Sequence, residues 1–135
     1  IDDELAILKT AKEIMEFLGL KVNAFCDTSQ AIQFYKENSG NISFSIIDMS
    51  MPQLNGLELF QQIKSVNPNA LAIICSGFNE SITISNSDDK NHIDFLQKPY
   101  NMKNLSAKLL EFCHKHNIII NWVKPLLLYY SCCLE

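Results

Sequence analysis

Apolar and polar positions along the chain switch repeatedly between a helical and a strand period. Leu8, Ala11, Met15 and Leu18 recur at the spacing of one helix face, and Gly19 predicts where that helix stops. Lys21 to Cys26 alternates with period two, as a strand does. Asp27 with Gln30 predicts a capping box for a helix carrying Ala31, Phe34 and Tyr35, closed by Gly40. Phe44 to Asp48 reads as a central strand. Asn55 with Glu58 predicts the cap of the next helix, whose inner face is Leu59, Phe60, Ile63 and Val66, and Asn67-Pro68-Asn69 breaks it. Ala70 to Cys75 and Ile93 to Gln97 read as two more strands, and Met102, Leu105, Leu109 and Phe112 mark a last helix. Strands joined by helical crossovers predict an α/β fold, a parallel sheet with helices on both faces.

Composition narrows the class. A chain of 135 residues with 47% hydrophobic content has single-domain length and material for one core. A net charge of −4 without any Lys/Arg cluster offers no footprint for nucleic acid, so none is expected as a partner. Nothing at the start reads as a secretory signal. Five cysteines, an odd number without C-x-x-C spacing, predict reduced core thiols in a cytoplasmic protein, with Cys26 and Cys75 in strand-like runs and Cys113 on a helix. Cys113, His114 and His116 lack a fourth ligand at a usual metal spacing and read as a solvated helix end. The run 118–134 is slightly short for a membrane span and contains Lys124-Pro125, so no membrane contact by this domain is expected. Cys132-Cys133-Leu134-Glu135 is a poor prenylation match.

The chemistry centres on Ser45-Ile46-Ile47-Asp48-Met49-Ser50-Met51-Pro52-Gln53-Leu54-Asn55-Gly56. An apolar run delivers Asp48 to a strand end, and Pro52 and Asn55-Gly56 then bend the chain into a helix. A carboxylate there faces the crevice at the carboxyl edge of a parallel sheet, where α/β folds place their ligands. Alone, this could be any buried strand ending in an acidic loop. Three other pieces stand in order around it: Asp2-Asp3-Glu4, Ile74-Cys75-Ser76-Gly77 and Phe95-Leu96-Gln97-Lys98-Pro99-Tyr100. Together they resemble the receiver domain of two-component response regulators over residues 1–116, closest in wording to the receivers of hybrid histidine kinases. Residues 117–135 remain as an apolar tail of unknown role.

That resemblance implies a flavodoxin-like, doubly wound sheet of five parallel strands in the order 2-1-3-4-5, for which a chemotaxis receiver is a standard example. Only Ile1 precedes the acidic pair, so the first strand is truncated in this chain. Asp2, Asp3 and Asp48 in one crevice would repel one another unless a cation intervened. Hard oxygen ligands with open water positions suit Mg²⁺. The resemblance gives that metal to Asp2, Asp3, Asp48 and the backbone carbonyl of Ser50. It makes Asp48 the nucleophile toward a phosphoryl group on a partner's histidine, carried by a histidine kinase or a phosphotransfer domain. Lys98 would supply a point charge to one phosphoryl oxygen and Ser76 a hydrogen bond to another, since such transfer mainly needs positioning and charge neutralisation. Phe95, three residues before Lys98, falls at the switch aromatic of the family. The Lys98-Pro99 bond is expected to be cis, as it usually is there. Such a domain catalyses its own phosphorylation and slow dephosphorylation but is a signalling module rather than an enzyme, and a homodimer is left open.

The sequence departs from the family in three places. Residues 79–90, where a fourth helix belongs, are rich in Ser, Asn and β-branched residues, all poor helix formers. Phe78 stands where a polar side chain often orients the attacking water. Ile118 to Val123 is an apolar run suited to a strand buried on both faces. It either fills the first strand's position or lies outside the sheet. Two rival functions follow. A haloacid-dehalogenase phosphatase would want a second Asp at the position of Ser50. The other is a receiver-like interaction module that is never phosphorylated.

Overall fold

The computed structural model describes residues 1–77 and 89–120, and within them the two periods become four helices and three strands. Helix α1 (Leu5–Phe17) buries Ala11 and Met15. It ends as Gly19 donates its N–H to the Glu16 carbonyl at 3.0 Å and takes φ 90°, the left-handed conformation that glycine adopts without steric cost. Helix α2 (Thr28–Asn38) starts where the Asp27 carboxylate accepts the Gln30 N–H at 2.9 Å. Only that half of the expected capping box forms. The helix then tightens into a 3-10 turn over Ser39–Asn41 instead of stopping at Gly40.

Strand β1 (Ser45–Asp48) leads through a loop to α3 (Gly56–Val66), where the complete Asn55–Glu58 capping box is present. Strand β2 (Ala72–Ser76), strand β3 (Ile93–Gln97) and helix α4 (Met102–Lys115) follow. The strands form a parallel sheet in the order β1-β2-β3, with Asp48 opposite Cys75 and Cys75 opposite Leu96. Right-handed crossovers put helices on both faces, and the strand alternation then divides the core into two. Ile47, Ala72 and Ile74 join Leu59, Phe60 and Ile63 of α3 on one face. Ile73, Cys75 and Leu96 join Met15 of α1 and Leu105, Leu109 and Phe112 of α4 on the other. Every residue of β2 is buried, as the continuous apolar run Ala70 to Cys75 requires of an inner parallel strand.

Four expectations change. Lys21 to Cys26 carries no ladder, because a strand exists through its neighbours. Among the described residues its one backbone bond to an adjacent strand position is from the Asp2 N–H to the Phe25 carbonyl, 3.2 Å. Among the described residues the sheet therefore has three strands, where five were expected with the first truncated. Cys26 is exposed while Cys75 and Cys113 are buried, and all three are free. Met102 is 42% exposed because it opens α4 beyond Leu105, the first fully covered layer of that helix. Phe78 and nearly all of the expected fourth helix lie outside the described residues, as do residues 121–135 of the tail. Among the described residues no helix is long and apolar enough to cross a membrane.

Candidate functional site

Parallel register carries three side chains to one edge. Asp48 ends β1, Ser76 ends β2, and Lys98 follows β3 directly. Loop backbone ties these ends together: Met49 N–H donates to the Cys75 carbonyl at 2.8 Å, and Lys98 N–H to the Ser76 carbonyl at 2.8 Å. The Lys98-Pro99 bond is cis, as expected. The loop after Asp48 returns to its own strand, with Gly56 N–H donating to the Met49 carbonyl at 3.0 Å. That return passes so close that a Cβ on residue 56 would meet the Asp48 carbonyl oxygen at 2.6 Å. Sequence reasoning saw only a turn former there. The close approach is what demands glycine.

The acidic pair enters from the other side. Ile1 is held beside β1, its carbonyl accepting the Asp48 N–H at 2.8 Å. One Asp2 carboxylate oxygen accepts the Glu4 N–H at 2.9 Å, leaving the other free to turn inward. The Lys98 ammonium bridges this oxygen and Asp48, 2.8 Å from Asp2 Oδ2 and 2.8 Å from Asp48 Oδ1. Burial disfavours the ammonium, but its hydrogen bonds to Asp2 and Asp48 outweigh that and hold its pKa above the usual lysine value. Asp2 and Asp48 are buried and Asp3 is exposed, yet each offers an oxygen within 4.8 Å of those of the other two.

Three carboxylates against one ammonium leave the crevice negative. Hard oxygen donors this close, one of them open to water, fit a single Mg²⁺ keeping several waters in its octahedral shell. Ser50 is exposed on the same loop, two residues beyond Asp48. Ser76 is buried at the crevice floor, 3% exposed. Phe95 is half-buried against the α2–α3 core, opposite Ile74 in register, so it packs as a strand aromatic in this state. Of the three residues read as a solvated helix end, His114 is exposed, His116 is half-buried and Cys113 is buried.

Two neighbours of the crevice carried no chemical signal in the sequence. Burial pushes the Cys75 thiol up to about 12, with the Lys98 ammonium opposing. Burial likewise pushes the Tyr100 phenol up to about 12, with Cys75 adding to the shift and Lys98 opposing it. Both stay neutral at physiological pH and wall the site rather than charge it. Tyr100 follows the Lys-Pro pair, so only its place in that motif could have pointed to it.

The response regulator receiver domain family matches residues 1–110. The chain belongs to that family, and its sheet and helices are those of the flavodoxin-like receiver fold. The transcriptional regulatory protein CrdR of Helicobacter pylori (strain ATCC 700392 / 26695) is 25% identical over 136 residues, 100% of this chain and 62% of CrdR. The sensor kinase CckA of Brucella abortus (strain 2308) is 23% identical over 117 residues, 87% of this chain and 12% of CckA. The chain thus spans less than two thirds of either relative. A response regulator receiver domain protein from Clostridium thermocellum superposes with a TM-score of 0.74 at 26% identity, covering 87% of this chain and 94% of that one. A chain of the CheX-CheY-BeF3-Mg²⁺ complex from Borrelia burgdorferi does so at 0.69 and 22% identity, covering 82% and 83%.

Proposed function

We propose that this receiver domain accepts a phosphoryl group on Asp48 from the phosphohistidine of a histidine kinase or phosphotransfer domain. The observation that carries the reading is the Lys98 ammonium held 2.8 Å from both Asp48 and Asp2, within a cluster of three carboxylates. An Asp48 oxygen attacks phosphorus as the P–N bond breaks, and the imidazole keeps the bonding pair. Charge on the equatorial oxygens is what such a loose transition state needs neutralised. Lys98 reaches one oxygen, and the Ser76 hydroxyl can donate to another. Asp2, Asp3, Asp48 and the Ser50 carbonyl would hold Mg²⁺, which supplies further positive charge when bound. Phe95 is the proposed switch aromatic. The wording Gln97-Lys98-Pro99-Tyr100 and the likeness to CckA favour the receiver of a hybrid kinase, working in the cytoplasm.

The test is acetyl phosphate with Mg²⁺, read by intact mass. One added phosphoryl group is expected, lost in Asp48→Asn and strongly reduced by chelation. Label persisting in Asp48→Asn would overturn the assignment. A wild-type chain that folds yet takes no label would favour the unphosphorylated interaction module instead.

A further inference from the structure

Helix α4 ends against the start of β3, and two histidines meet charged neighbours at that junction. The helix closes in a complete Schellman motif with His116 as its C-cap. Asn117 takes φ 55°, and the Asn117 and Ile118 N–H groups donate to the His114 and Cys113 carbonyls at 3.3 and 2.8 Å. The Ile118 side chain seats on the α1–α4 core. The His116 ring lies on Phe112, with centroids 4.5 Å apart. Opposite, Ala72 N–H donates to the His92 carbonyl at 2.9 Å, which extends the β2–β3 ladder to that residue. Strand alternation then puts His92 and Asp94 on the same face of β3 as Leu96, the face covered by α4. Lys115 spans the junction, its ammonium 2.6 Å from an Asp94 carboxylate oxygen.

Two ring nitrogens here, His92 Nδ1 and His116 Nε2, are buried with no hydrogen-bond partner among the described residues. A neutral imidazole has one N–H and one bare nitrogen, and we assign each of these buried atoms as the bare one. A proton arriving at either makes an N–H with nothing to accept it and a charge shut away from water. The groups that face His116 are Lys115 on its own helix, Asp94 on β3 and His92 just before β3. Lys115 and a charged His92 both repel a positive ring, and the Asp94 carboxylate is already engaged by Lys115. The negative end of the α4 dipole favours a cation at the cap. Yet the Phe112, Cys113 and His114 carbonyls there already accept backbone N–H groups, so they offer a new donor little. Burial, aided by Lys115 and opposed by Asp94, holds the His116 pKa below the usual 6.5.

We propose that His116 and His92 form an acid-released latch between α4 and β3. Neutral, the two rings close the junction. Protonated, His116 turns out to water and the Schellman motif opens with it. A base whose folded pKa lies below its unfolded value stabilises fully above the unfolded one, so the latch is closed above pH 6.5 and loses its contribution as pH falls from there through the folded midpoint. The Asp89 carboxylate, held below 3.8, does not titrate in that range. Imidazole NMR and hydrogen exchange on the 135-residue chain test the latch. The His116 midpoint should lie below 6.5, and protection of the Asn117 and Ile118 amides, corrected for intrinsic rate, should fall at least about threefold from pH 7 to 5. In His116→Asn, which cannot titrate, that protection should stay level over the same range. In His92→Gln, which removes a like charge, the His116 midpoint should move up. A wild-type His116 midpoint at 6.5 or above would overturn the proposal. So would protection that falls equally in wild type and His116→Asn, or a His116 midpoint unmoved by His92→Gln.

Discussion

A Cβ at Gly56 would stand 2.6 Å from the carbonyl oxygen of Asp48 and 3.0 Å from the Met49 Cα, so the loop that follows Asp48 fits only without a side chain at its end. Both neighbours are backbone, which cannot swing aside as a side-chain tip can. Gly56→Ala is therefore expected to displace the Asp48 loop and to cost about 1–3 kcal/mol, the range of overpacked sites. Because helical propensity favours alanine by roughly 1 kcal/mol, a net gain in the denaturant midpoint would show that the loop relaxes freely. Acetyl-phosphate labelling should fall in the same variant, since the displaced residue is the proposed acceptor.

Much of this was legible in local sequence. The Asn55–Glu58 capping box, the Asn67-Pro68-Asn69 break and the continuous run into β2 each need only nearby residues, and each formed as expected. The resemblance also named the carboxylates and the lysine that meet at the sheet edge. What escaped was non-local. Alternation in Lys21 to Cys26 signals a face to bury, but a ladder needs a partner that period two cannot supply. Gly56 looked like any Asn-Gly turn because its constraint is the Asp48 carbonyl, brought there by the fold. Tyr100 gains its raised pKa from burial against the crevice, which the two residues before it do not announce.

Asp3 separates the metal reading from the ion-pair reading of the crevice. It contributes to the carboxylate cluster but is exposed and makes no bond to Lys98, which is held by Asp2 and Asp48. If Mg²⁺ binds there, a concentration ten times its Kd should stabilise the domain by about 1.4 kcal/mol. Asp3→Asn should need roughly tenfold more Mg²⁺ or higher for the same shift, with little change in stability under EDTA. Thermal melts across a Mg²⁺ series check this. Identical shifts in both proteins would remove Asp3 from the ligand set.

The thiols should divide by exposure. Burial pushes Cys75 up to about 12 and Cys113 up to about 11, whereas Cys26 is exposed. Only the thiolate attacks an alkylating reagent, so at pH 8 the two buried sites are limited both by access and by charge. Iodoacetamide followed by peptide mass mapping should label Cys26 first among these three, with Cys75 and Cys113 reacting only on unfolding. Early labelling of Cys75 would show that the sheet beneath Asp48 opens readily.

Asp89 gives the domain an acid-sensitive contact remote from the crevice. The Lys64 ammonium bonds its carboxylate, and the Gln61 amide donates to the other oxygen at 2.6 Å, tying α3 to the turn that leads into β3. The Lys64 hydrogen bond, opposed by burial and aided by Gln61, holds the Asp89 pKa below the usual 3.8. A carboxylate depressed in the folded state stabilises fully above its unfolded value and loses that contribution as pH falls through the folded one. Lys64→Met should therefore cost about 1–2 kcal/mol at pH 7, between an exposed pair and a fully buried one. The gap between wild type and variant should stay constant from pH 7 to about 5 and narrow below 3.8, where the unfolded chain takes up the proton first. Urea midpoints at pH 7, 5, 4 and 3 measure it. A gap that widens toward acid would mean that Lys64 acts through its packing on α3 and not through the charge on Asp89.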